Sequence, residues 1–201
     1  MRSIIIATLG VFVVLTIIGL AQLTGIANAQ EPRSSIAGKS PDVMVISGLP
    51  DFQALAYGKN QLSIAVVPVS QQDNRMTFKV KGLAVSYPGT APAIVYTLSE
   101  PMPGSLDLSQ KTLDVDLTNF NTAASEPEHI EKSRVSHVLQ TNANTTIIEV
   151  TMDYKSLQGS EAIFRVSSIS LIPPDGQMQT YRLELPKQLI IDGDAKRLYM
   201  V

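Results

Sequence analysis

The run Arg75 to Tyr87, RMTFKVKGLAVSY, decides the fold. In its first half Met76, Phe78 and Val80 are apolar, while Thr77, Lys79 and Lys81 are polar. Successive side chains of a strand point to opposite faces, so this period of two predicts a strand with one dry face and one wet face. At Gly82 the phase flips, and Leu83, Val85 and Tyr87 take over the apolar positions. A glycine at a phase change marks a β-bulge or bend. The expectation drawn from it is one long strand serving two sheets.

Upstream, Gln61 to Val69 (QLSIAVVPV) is a second strand, joined to the first by the polar turn QQDN. Pro68 places its strand at an edge, or interrupts it, because proline cannot donate to a ladder. The apolar run DVMVISG predicts a short opening strand. Asp51 to Gly58 (DFQALAYG) predicts one or two helical turns, with Asp51 as cap and Gly58 as terminator.

Downstream, Pro88-Gly89 makes a turn before the strand Ala93 to Leu98, and Pro101, Pro103 and Gly104 break the chain again. Lys111 to Leu117 alternates cleanly, with Leu113, Val115 and Leu117 inward and Asp114 and Asp116 in water. Ser125-Glu126-Pro127-Glu128 fits a capping box and predicts a short helix ending near Lys132. Further strands are expected at Arg134 to Gln140, Thr145 to Met152, Glu161 to Ile172 and Gln177 to Leu185. Pro186 kinks the last of these into KQLII, and the turn Asp192-Gly193-Asp194 leads into KRLYMV, closing a β-meander.

Ten or so short strands with turns every 8–12 residues point to an all-β chain built as a sandwich or barrel. The expectation is a single antiparallel β-sandwich over 42–201, with an immunoglobulin-like arrangement as one form of it and one or two short helical inserts. Two smaller sandwiches divided near Asn119 to Glu131 are the alternative. A membrane-spanning barrel is the structural rival; it needs aromatic girdles and outward apolar faces, and aromatics make up 5% of the chain.

Residues 1–29 differ from all of this. Arg2 precedes an apolar run from Ile4 to Leu23, Ala27-Asn28-Ala29 closes it, and no charge intervenes before Glu31. A basic flank, an apolar middle and an A-x-A end form the layout of an export signal. The run is also long enough for a retained helical anchor, which needs about 20 residues. Residues 30–41 (QEPRSSIAGKSP), rich in Ser, Pro and charge, follow as a flexible linker.

Composition narrows the partners. Without Arg2 the chain carries 15 basic and 18 acidic side chains, scattered rather than clustered, so it offers no steering field for nucleic acid. Cysteine is absent, which removes disulfides, thiol nucleophiles, thiolate metal sites and a lipid-attachment cysteine. Tryptophan is absent too, which disfavours an aromatic sugar-binding platform.

The residues able to carry chemistry are few. His129 sits among Glu126, Glu128 and Glu131 and could join them at a metal; His137 falls on a strand with Val135 and Leu139 on its face. Neither shows the H-E-x-x-H spacing of a catalytic zinc site. Asp114 with Asp116, and Asp192 with Asp194, could clamp calcium, but calcium wants 6–8 oxygens and neither pair extends into a binding loop. Gly104-Ser105 and Gly159-Ser160 lack the second glycine of a nucleophile elbow, and no phosphate loop occurs. Asn144-Thr145-Thr146 is a glycan acceptor sequence. No catalytic, cofactor or metal residues are assigned, and no cofactor is implied. The expected function is that of an exported, non-catalytic interaction or structural module of the cell envelope, with a protein partner and with membrane contact only through an uncleaved leader. The alternatives are a small secreted hydrolase using His129 or His137 and a calcium-stabilised adhesion domain.

Overall fold

In the computed structural model of the chain, residues 43–55, 58–123, 126–140 and 143–201 are described; residues 1–29 and the linker 30–41 lie outside them. The strands are β1 Val43–Ile46, β2 Leu49–Leu55, β3 Lys59–Gln72, β4 Arg75–Ser86, β5 Ala93–Asp107, β6 Thr112–Asp116, β7 Glu128–Ile130, β8 Thr146–Gln158, β9 Glu161–Ile172, β10 Gln179–Asp192 and β11 Arg197–Met200. The helical pieces are short: α1 Phe120–Ala123, a 3-10 turn Lys132–Arg134, and α2 Val135–Leu139.

The strands do not form two stacked sheets. They pair antiparallel in the order β4-β3-β8-β9-β10-β11-β6-β5, and β5 returns to pair with β4. The result is a closed eight-stranded barrel, with β7 added outside β5 and β1–β2 as a separate two-stranded sheet. The expected sandwich, immunoglobulin-like or divided in two, is therefore corrected to a barrel. Alternating residues specify each strand and its wet face alike in both architectures; closure depends on how far the sheet coils, which alternation does not encode.

What coils it is visible at Gly82. The β4–β5 register shifts there: Val80 faces Met102 and Gly82 faces Thr97, so Leu98 to Pro101 lie opposite Lys81 alone. The bulge expected from the phase flip is present, but it bends a strand around a barrel rather than handing it to a second sheet. Pro101 sits in this irregular stretch and Pro103 lies just before β6 begins pairing at Gly104. The prolines expected to break the chain are thus carried inside one continuous strand, at positions where no ladder donor is required. Pro68 behaves as expected, lying beyond the last β8 partner of β3, at Val66.

The interior is apolar and filled. Leu62, Ile64, Phe78, Val80, Leu83, Val150, Phe164, Leu189 and Leu198 are among the side chains it encloses, each at most 2% exposed. An eight-stranded barrel is just wide enough for side chains to occupy its lumen. The outward positions Lys79, Arg165 and Arg182 are exposed and charged. Apolar inside and charged outside is the reverse of a membrane-spanning barrel. Among the described residues, no helix is long and apolar enough to cross a membrane.

A second, smaller cluster lies on the outer surface. Ala65, Ala84 and Ala93, together with Gly82, leave little side chain on the backs of β3, β4 and β5, and α2 settles there through Val135 and Leu139. A Cβ at Gly82 would lie 2.9 Å from Leu139 Cδ2, so the helix approaches closely only because position 82 is bare.

Three local expectations are corrected. Asp51 to Leu55 belong to β2, not to a helix. The helix expected to run from Ser125 towards Lys132 is replaced by β7, and helix forms only from Lys132 onward; Ser125 itself is outside the described residues. Arg134 to Gln140 is not a strand: Val135 and Leu139 share a face at helical i, i+4 spacing as readily as at strand spacing, and the bare seat on the barrel selects the helix. By contrast β9 has the expected limits, Glu161 to Ile172, and the C-terminal meander β9-β10-β11 is present with consecutive strands adjacent.

Candidate functional site

The residues singled out for chemistry are dispersed by this fold. His129 is exposed on β7, where its backbone faces Ile94 of β5. His137 is exposed on α2, on the side away from buried Val135 and Leu139, so it has left the strand face on which it was expected. Glu126, Glu128 and Glu131 are all exposed. Among the described residues, no three His, Asp or Glu side chains come together as metal ligands.

The aspartates are committed to local structure. Asp114 accepts from Arg197 Nε at 2.9 Å and forms an ion pair with the same guanidinium, which holds the Arg197 pKa above its ordinary value. Asp116 turns instead to Thr118, accepting from both its hydroxyl and its backbone N–H; these bonds hold the Asp116 carboxyl below the usual range. The two carboxylates two apart on β6 therefore face different partners. Asp192 Oδ1 accepts from the backbone N–H of Asp194 at 3.0 Å and of Ala195 at 2.9 Å, an ordinary aspartate turn. Ser160 Oγ reaches the same carboxylate at 3.4 Å, with no histidine in this group.

Four polar groups that the sequence did not mark out for chemistry are more notable. Glu149, on β8 between Ser63 and Ser170, is half-buried, and desolvation raises its pKa although Gln61 hydrogen-bonds to it. Lys132 donates from Nζ to the carbonyls of Tyr87 and, at 2.7 Å, Gly89, so it ties the 3-10 turn to the Pro88-Gly89 turn. Burial, helped by nearby Tyr96, holds the Tyr87 hydroxyl protonated well above its ordinary range. Asn60 is 1% exposed; its Nδ2 donates to Gly58 O at 3.0 Å, and Oδ1 has no partner among the described residues. A glutamate set between two serines of neighbouring strands and a buried asparagine at a strand start carry no pattern that a sequence would advertise.

A recess at the opposite end of the barrel from β1–β2 is lined by Asn74, Arg75, Met76, Leu106, Leu108 and Leu171 and has room for about 20 Å³, one water molecule rather than a ligand. Its rim is fastened by Arg75 to Asp107 at 2.7 Å and by Asn74 to Ser109 at 3.0 Å. Comparison of the chain with protein-family models, curated proteins and solved structures finds no match. These polar side chains hold turns and strand ends in place, and the hydroxyl–carboxylate pairs among them, Ser160 with Asp192 and Thr118 with Asp116, include neither histidine.

Proposed function

We propose that this chain is an exported, non-catalytic interaction or structural module of the cell envelope, acting through the outside of its barrel. The observation that carries this reading is the filled lumen: an apolar core occupies the place where a barrel of this size would otherwise hold a small ligand. The dispersal of His129, His137 and the paired aspartates supports it, since a reaction centre needs such groups within hydrogen-bonding reach of one another. Export is supported by the Arg2 flank, the apolar run and the Ala27-Asn28-Ala29 close. With cleavage after Ala29 the mature chain begins at Gln30; with the leader retained, the barrel is tethered to the membrane by 30–41.

The test is cross-linking in intact cells followed by recovery of the protein with its partners. The reading predicts a reproducible envelope protein cross-linked through barrel surface residues and a mature N-terminus beyond the leader or embedded in the membrane. Recovery of the full-length chain free in the cytosol, with no cross-linked partner, would contradict it.

A further inference from the structure

A sheet that does not belong to the ladder packs at the end of the barrel that carries the β10–β11 turn. Each of the eight barrel strands is laddered on both sides, whereas β1 and β2 pair only with each other. Among the described residues, no main-chain hydrogen bond joins β1 or β2 to a barrel strand. Side chains hold the hairpin instead. Ile46, Leu49 and Phe52 are fully buried; the Phe52 ring stacks on Tyr96 of β5 at 5.7 Å and meets Phe120 of α1 edge-on at 5.3 Å.

The seat is also shaped by backbone. The Ser47-Gly48 turn of the hairpin lies against Gly193 in the β10–β11 turn. A Cβ at Gly48 would fall 2.5 Å from the Gly193 carbonyl carbon, and one at Gly193 would fall 2.7 Å from that of Ser47. Gly48 has φ +82, which disfavours any other residue on its own account. The hairpin therefore fits its seat through two bare positions and a few rings, not through a ladder.

Isolated two-stranded hairpins are marginal, and proteins open locally along boundaries where few hydrogen bonds cross. We propose that the β1–β2 hairpin is a lid that lifts as a unit while the eight-stranded ladder stays closed, uncovering an apolar mouth edged by Tyr96 and Phe120.

Hydrogen exchange of the full chain, followed by mass spectrometry, tests this directly. The lid predicts that amides of Val43 to Leu55 exchange about 100-fold faster than those at the centres of β8, β9 and β10. It also predicts that low denaturant leaves the lid rates nearly unchanged. Gly48→Ala should speed lid exchange further and raise the fluorescence of the apolar dye ANS, with β9 protection unaltered. If Gly48→Ala does not yield folded protein, Phe52→Ala carries the same comparison without backbone strain. Lid amides that share the protection and denaturant dependence of β9 would overturn the proposal, as would a lid variant that loses β9 protection in step with the hairpin.

Discussion

Gly104→Ala tests how tightly the barrel turns at its β4–β5–β6 corner. Gly104 points inward opposite Phe78, its direct partner across the β4–β5 ladder, and also pairs with Val115 of β6. A Cβ there would overlap the edge of the Phe78 ring, coming to 2.8 Å from Cζ and to 2.9 Å from the Asp114 carbonyl oxygen. One contact is with a ring that can tilt and the other with backbone that cannot, so the strain is only partly relieved. Overpacking a filled core costs about 1–3 kcal/mol, and the stiffer unfolded chain of alanine returns about 0.4–1 kcal/mol. The net expectation is a loss of about 1–2 kcal/mol, or a Tm lower by about 2–8 °C for a domain of this size. Phe78→Leu removes the ring edge that collides. In the double variant the two losses should therefore sum to less than expected from the singles, with a coupling of about 1 kcal/mol. Urea unfolding of the wild type, both singles and the double measures this. A neutral or stabilising Gly104→Ala, or losses that simply add, would refute the inward packing of this corner.

Other perturbations separate the side chains that hold the barrel from those that decorate it. Glu149 has a folded pKa above its unfolded value, so its ionisation opposes folding at neutral pH and that penalty disappears as pH falls below about 4.5. Glu149→Gln should accordingly stabilise the protein at pH 7 by a few tenths to about 1 kcal/mol and have no effect at pH 3.5; thermal melts at the two pH values decide it. Asp116 has the opposite sign: its stabilisation is present above the unfolded carboxylate pKa and is lost as pH falls through the lower folded value, and Asp116→Asn should flatten that acid limb. Asp192→Ala removes the acceptor for two turn N–H groups and should cost about 1 kcal/mol in urea unfolding, whereas Asp192→Asn should recover most of it. Arg197→Ala breaks an exposed pair with Asp114 and should cost less than about 1 kcal/mol, a difference that 1 M salt removes.

Strands were legible where alternation ran long enough to exclude other periods. Glu161 to Ile172 sits where the residues predict, and the flip at Gly82 correctly marked a bulge. Closure was not legible, because the pairing of β5 with both β4 and β6 is a long-range outcome that includes the register shift at Gly82, opposite Leu98 to Pro101. The segment from Glu128 to Leu139 failed for a different reason. Five residues with Val135, His137 and Leu139 at alternate positions satisfy two periods at once, and only the bare patch formed by Ala65, Gly82, Ala84 and Ala93 resolves the choice. For the candidate site, the paired aspartates are taken up by turns and an ion pair, and the two histidines stand exposed on separate elements. Glu149 and Asn60 stood out only once burial was known.

In this structure a single antiparallel ladder closes on itself around an apolar core. Interstrand proton–proton contacts in the isotopically labelled protein test it most directly, because each strand boundary reports separately. A closed barrel predicts contacts for Phe78 with Gly104, Leu106 with Leu113 and Tyr199 with Asp114, all in the same molecule as those of β8 with β3. Loss of the β5–β6 or β6–β11 contacts while the others persist would open the ring into sheets and contradict the account.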